Sequence, residues 1–327
     1  MLKITAKLMV IVFLITATVS CIIAAMRIYG YDHFTPSAVR YYYNDYKQVY
    51  SKTGAADIII IGNSKALQSL SSKIIYTITK QICYNLGMGG ANLAYSKLTL
   101  NTYLHNATRV PRYCFLEISW FSFNTQRTGF PLKIASSLLF KDIEPIKYII
   151  RYPELRQNSI GILYDDILQR FSNKTKHNVI TYGDYSEKGN QGETIEPKKQ
   201  GETIEPKIFD VEKMKTTFPG FKAGIDSDLL HDFVDIIKIC KKNNIKLILY
   251  NAPELPEYTA KQMDRYKIKQ EIYKLAAKHN LKYYDFTIDG EFWNKDYISQ
   301  LGDSHHLKDP DRFTKDFMAV LSQEGMF

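Results

Sequence analysis

The stretch Ile58-Ile59-Ile60-Ile61-Gly62-Asn63-Ser64-Lys65-Ala66 decides how this chain folds. A short, unbroken isoleucine run ended by glycine reads as a β-strand covered on both faces, the condition of strands in parallel sheets. Working outward, residues 57–61 form a first strand, 65–80 a helix, 81–86 a second strand, 91–105 a second helix and 112–119 a third strand. Much later, 227–243 reads as a helix, 245–250 as a strand, 258–280 as a long charged helix, 281–286 as a strand and 309–323 as a closing helix. Repeated strand–helix–strand units specify a parallel sheet with helices on both faces. The expected fold class is therefore α/β, a three-layer α/β/α sandwich whose five parallel strands run in the order 2-1-3-4-5.

Between the third and fourth strands lie residues 120–224, far more than a simple crossover needs. We expect an insertion with structure of its own. Within it 143–150 and 159–171 look helical, and 173–219 looks loose and polar. The segment Gln-Gly-Glu-Thr-Ile-Glu-Pro-Lys occurs at 191–198 and again at 200–207. Two copies cannot build a solenoid, so this reads as a duplicated surface loop. The insertion could form a lid or a glycan-contacting surface over the carboxyl edge of the sheet.

Residues 8–26 are apolar and uncharged, long enough to cross a bilayer, which takes about 20 such residues. Lys3 and Lys7 precede the run and favour a cytoplasmic N-terminus with the rest outside. A cleaved signal peptide has a shorter apolar core. A lipoprotein box at Thr18-Val19-Ser20-Cys21 is followed by more apolar residues where a polar stretch is usual. The expected organisation is a cytoplasmic tip and transmembrane anchor at 1–30, a tyrosine-rich juxtamembrane segment at 31–56, and an α/β domain at 57–327 with its insertion at 120–224. The net charge of +9 reads either as an ordinary soluble basic surface or as favouring an anionic neighbour such as a membrane surface or an acidic glycan. No nucleic-acid motif accompanies it, so nucleic acid is not an expected partner. Cys21, Cys83, Cys114 and Cys240 have no metal-ligand spacing and read as buried small hydrophobes.

Ligands of open parallel sheets bind beyond the carboxyl ends of the strands. Ser64 follows the first strand there and opens the next helix, where backbone N–H groups and the helix dipole favour negative charge. Its hydroxyl could instead cap that helix. Gly87-Met88-Gly89-Gly90 follows the second strand, as a close-approach loop or as an ordinary turn; it is not a dinucleotide fingerprint. Asp303-Ser304-His305-His306 follows the last strand. An aspartate three residues before a histidine can orient the imidazole, which can then take a proton from a serine. His305 could fill that role, but the spacing favours His306. The two histidines could also be metal ligands, yet no further ligand cluster at suitable spacing supports a metal site. These residues suggest serine acyl transfer or ester hydrolysis.

The chain here resembles the SGNH (GDSL-like) hydrolase superfamily, whose fold is a flavodoxin-like sandwich. Gly62-Asn63-Ser64 matches the first block of that family, Asn85-Leu86-Gly87 the second, and Asp303-x-x-His306-Leu307 the last. The resemblance covers about residues 57–119 and 226–323. It implies a catalytic triad of Ser64, His306 and Asp303, an oxyanion held by the backbone N–H groups of Ser64 and Gly87, and no cofactor. The third block departs from the pattern: Glu117-Ile118-Ser119-Trp120-Phe121-Ser122-Phe123-Asn124 contains no Gly-x-Asn-Asp, leaving Asn124 or Ser119 as the candidate donor. Gly-Asn-Ser, a single anchor and an insertion are similar to membrane-anchored proteins that work beside polysaccharide O-acyltransferases, and to the D-alanyl-transfer protein of teichoic acid modification. The resemblance thus implies an esterase or O-acyltransferase of cell-envelope polysaccharide, outside the cytoplasmic membrane, with a multi-span acyltransferase as partner. A non-catalytic assembly or glycan-binding protein, or a plain extracytoplasmic esterase, are its alternatives.

Overall fold

The computed structural model describes residues 55–123 and 221–327, residue 223 excepted. All of these fall within one of the two compact units into which the chain divides, the unit formed by Asp45–Pro131 with Ile180–Phe327. The apolar run at 8–26, most of the expected insertion, and Asn124 lie outside the described residues.

Five parallel strands form the sheet: β1 (Ile58–Ile61), β2 (Cys83–Asn85), β3 (Tyr113–Glu117), β5 (Lys246–Asn251) and β7 (Tyr283–Asp285). Their order is β2-β1-β3-β5-β7. This is the expected order, two short additional strands having entered the numbering. Those are β4 (Phe221–Lys222) and β6 (Gln262–Met263), which pair only with each other. All four isoleucines of β1 are fully buried. Neighbours on both sides satisfy its backbone, with Ile59 registered against Tyr84 of β2 and Cys114 of β3.

The helices are α1 (Ser64–Ser69), α2 (Ser72–Thr79), α3 (Leu93–Asn106), α4 (Ser227–Lys242), α5 (Pro256–Ala260), α6 (Arg265–Lys278) and α7 (Pro310–Gln323). Helix α7 packs on α1 and α2, and α4 packs on α3, making the outer layers of the sandwich. Cys83, Cys114 and Cys240 are buried, and none of the three is in a disulfide among the described residues.

Two helices expected to be continuous are broken. The one read over 65–80 stops at Leu70 and Ser71, both extended. Asn85 at the end of β2 donates its side-chain amide to the carbonyls of Ala66 and Leu70, each at 3.0 Å. Ser71 donates its N–H to Thr314 Oγ1 of α7 at 2.8 Å and caps α2 by accepting from Ile74 N–H. Tertiary partners thus satisfy groups that a longer helix would have paired internally. The helix read over 258–280 is replaced by α5, β6 and α6, with Asp264 in the left-handed conformation at φ 64°. Pairing of Gln262 and Met263 with Phe221 and Lys222 draws that segment out of the helix.

Phe317 of α7 holds the last helix on the sheet. It is fully buried and meets Phe115 of β3, Tyr250 of β5 and Phe286, with ring centroids at 5.5, 5.2 and 5.9 Å. Because α7 directly follows the Asp303–His306 loop, this contact fixes where that loop emerges. Truncation of a buried phenylalanine costs about 3–5 kcal/mol. We expect Phe317→Ala to lose that much stability in denaturant unfolding, while exposed Tyr266→Ala changes it little.

Candidate active site

The site begins where β1 ends. Gly62 has φ +140°, and a Cβ there would come within 2.9 Å of Glu117 Cβ and 3.0 Å of Ala66 Cβ. Only glycine turns the chain so sharply against β3. Asn63 then caps α1, its Oδ1 accepting from Lys65 N–H at 2.7 Å, and its Nδ2 donates to Ser119 Oγ at 3.3 Å. The cap is therefore Asn63, which leaves the Ser64 hydroxyl available for another partner.

That partner is His306. Its Nε2 lies 2.8 Å from Ser64 Oγ, and its Nδ1 lies 2.7 Å from Asp303 Oδ2. The other oxygen of Asp303 accepts from the N–H groups of His305 and His306, both at 2.9 Å. Burial acts to raise the Asp303 pKa, but the His306 hydrogen bond and charge and the His305 amide outweigh it and hold the carboxyl at about 2. An ionised carboxylate can only accept, so a neutral His306 carries its proton on Nδ1. Nε2 is then the acceptor for the Ser64 hydroxyl. The loop bearing these residues is braced: Leu301 bridges Leu307, and Gly302 N–H donates to His306 O at 2.7 Å.

His305 is held elsewhere. Its ring stacks on Tyr258 with centroids 5.0 Å apart, rests against Phe121 at 5.1 Å, and pairs through Nδ1 with Ser304 Oγ at 2.7 Å. Asp303, His305 and His306 offer three potential metal-ligand atoms within 4.8 Å of one another, but those of Asp303 and His306 are engaged in the chain to Ser64. Trp120–Phe123, at the head of the segment expected as an insertion, is a 3-10 turn whose residues are buried in this domain.

The remaining expected residues lie as follows. Gly87 packs against α1, where a Cβ would fall 2.5 Å from Leu67 N and 2.9 Å from Ala66 C. Its N–H donates to Asn85 Oδ1 at 3.0 Å. The glycine is thus demanded by close approach to the helix bearing Ser64, and its amide is satisfied within its own turn. Ser119 touches Asn63, and Asn124 lies outside the described residues.

Sequence reasoning missed a buried ionic cluster directly behind Ser64. Lys65 is 1% exposed, and its Nζ meets Glu254 Oε1 at 2.5 Å, Asn251 Oδ1 at 2.6 Å and Glu117 Oε1 at 3.7 Å. The signal was available in Glu117, a charge inside the apolar strand Tyr113–Glu117. A cavity of about 30 Å³, lined in part by Asn251, Glu254, Arg265 and Lys269, adjoins the cluster.

No family model and no curated protein matches this chain. Among solved structures, the crystal structure of a "putative acylhydrolase" from Bacteroides fragilis is similar at 10% identity over 88% of this chain and 96% of that one, with a TM-score of 0.39.

Glu117 generates a pH prediction. Burial raises its pKa, Lys65 opposes the rise and Glu254 adds to it, for a value of about 7 against 4.5 for the free side chain. Tyr250 and Tyr283, whose hydroxyls burial pushes up, face the same carboxyl. The folded state holds this proton more tightly than the unfolded one. The contribution of Glu117 to stability is therefore greatest below pH 4.5 and is lost as pH rises through about 7. Relative to Glu117→Gln, the wild-type chain should lose on the order of 3 kcal/mol between pH 4.5 and pH 7. Paired denaturant titrations at pH 5 and pH 8 measure this, and parallel pH dependence of the two chains contradicts it.

Proposed function

We propose that this protein is a membrane-anchored serine esterase or O-acyltransferase acting on cell-envelope polysaccharide. The observation that supports it is the continuous hydrogen-bonded chain from Ser64 through His306 to Asp303, with separations of 2.8 and 2.7 Å.

In this reading Ser64 Oγ attacks an ester carbonyl as its proton passes to His306 Nε2. Asp303 stabilises the imidazolium that results and holds the ring in place. The tetrahedral oxyanion forms next to the first turn of α1, where the N–H of Ser64 has no intrahelical acceptor. The acyl-enzyme appears as the leaving alcohol takes the proton from His306 Nε2. Water or a sugar hydroxyl then attacks the acyl carbon while giving its proton to the same nitrogen, and His306 returns that proton to Ser64 Oγ as the Oγ–acyl bond breaks. A contribution from Gly87 N–H requires that amide to leave Asn85. No step calls for a metal or organic cofactor.

The apolar residues 8–26 behind Lys3 and Lys7 support an anchor with the catalytic domain on the extracytoplasmic face. A glycan ester as substrate and a multi-span acyltransferase as partner follow from the resemblance of the sequence blocks. One observation favours the alternative, a non-catalytic assembly or glycan-binding protein: the amide of Gly87 is engaged by Asn85, and the third block lacks Gly-x-Asn-Asp, which leaves few oxyanion donors among the described residues.

A fluorophosphonate probe decides between these readings. We expect it to label Ser64 in the wild-type chain and to leave Ser64→Ala unlabelled. Ser64→Ala and His306→Ala should each lower esterase turnover by about 10³-fold or more, with the double variant little worse, because members of one catalytic unit are not additive. His305→Ala should be mild by comparison. An unlabelled wild-type chain, or multiplicative losses, would falsify the enzymatic reading. A reporter fused after Phe327 should be active only outside the cytoplasm, and cytoplasmic activity rejects the anchor orientation.

A further inference from the structure

We infer that Lys65 and Glu254 form a positioning strut that sets the distance between the Ser64 nucleophile and the His306 base. The inference rests on the triad reading above and adds two residues that touch neither substrate nor reacting atoms.

The strut can be traced atom by atom. Lys65 directly follows Ser64 in the first turn of α1, so movement of its backbone moves Ser64. Its Nζ bonds Glu254 Oε1 at 2.5 Å. The next residue, Leu255, donates its N–H to the carbonyl of Ser304 at 2.9 Å. Ser304 sits between Asp303 and the histidines. One ion pair and one backbone hydrogen bond therefore join the end of the nucleophile's strand to the loop of the base, across β3 and β5.

Each end of the strut is clamped. Asn251, the last residue of β5, holds Lys65 Nζ at 2.6 Å, and Glu117, the last residue of β3, stands 3.7 Å from it. The second oxygen of Glu254 accepts from Gln262 Nε2 at 2.8 Å and from Thr259 Oγ1 at 3.3 Å. Lys65 and Glu254 are each 1% exposed. Apolar residues of similar volume usually stabilise such a position as well as an ion pair does, or better. What apolar residues lack is a fixed length and a fixed direction. A misplacement of about 1 Å between reacting groups can cost a hundredfold in rate.

The test uses the full chain with p-nitrophenyl acetate as substrate. Lys65→Met alone strands the Glu254 carboxylate in the interior, so the informative variants are Lys65→Met/Glu254→Gln and Glu254→Asp. The first removes both charges, and the second keeps the charge but shortens the strut by one methylene. In folded protein, each should lower kcat about ten- to a hundredfold with KM little changed, and slow fluorophosphonate labelling of Ser64 in step. The far-downfield proton resonance of the His306–Asp303 hydrogen bond should shift or broaden in both. Wild-type kcat and labelling in either folded variant overturns the strut. Failure of the triad reading looks different: a wild-type chain that neither labels nor turns over substrate, whose downfield resonance still responds to both variants, retains the strut as geometry and rejects the chemistry.

Discussion

A strand of four isoleucines tolerates water on neither face, and the architecture of this domain follows from hiding it. β1 is paired on both edges and covered on both sides, which requires parallel neighbours and helical crossovers. Once that arrangement is imposed, every βα turn emerges on one edge of the sheet. Ser64 leaves β1 there, Glu117 ends β3 there, Asn251 ends β5 there, and the loop holding Asp303 and His306 follows β7. Residues far apart in sequence are brought together because one strand had to be buried.

The same edge concentrates charge. Asp303 is only partly buried, and an imidazole and two backbone amides hold its carboxyl below the usual carboxylate range. Glu117 is fully buried and is pushed the other way, chiefly by that burial. Two carboxylates of one domain thus diverge by environment, and each divergence has a local cause. Asp303 collects hydrogen bonds from the turn that carries it, whereas Glu117 competes with Glu254 for the one ammonium of Lys65. The aromatic packing of Phe317, and the contacts of His305 with Phe121 and Tyr258, hold the Asp303–His306 loop against the domain.

The sequence-level reading succeeded where local chemistry is decisive and failed where distant partners intervene. The strands, their order and the Asp303–His306 spacing were legible because apolar runs and turn residues speak for themselves. The helix breaks at Leu70-Ser71 and at Asp264 were not, since the groups that replace the helical hydrogen bonds belong to Asn85, Thr314 and the Phe221–Lys222 strand. Ser64 could have been the helix cap, but that role belongs to the side chain of Asn63. Gly87 was read for its amide but is demanded by its missing Cβ.

By itself, the sequence determined that the domain is a parallel α/β sandwich, because hydrophobic period and glycine placement are local properties. It also determined that a serine, a histidine and an aspartate stand at strand ends. Only the tertiary structure decided that Ser64 faces His306 and not His305, that Gly87 N–H belongs to Asn85, and that Lys65 turns inward to Glu254. Lys65 reads as a solvated side chain until the acceptors that can hold it are seen, and those acceptors come from the ends of β3 and β5 and the loop after β5, which no local pattern connects to it.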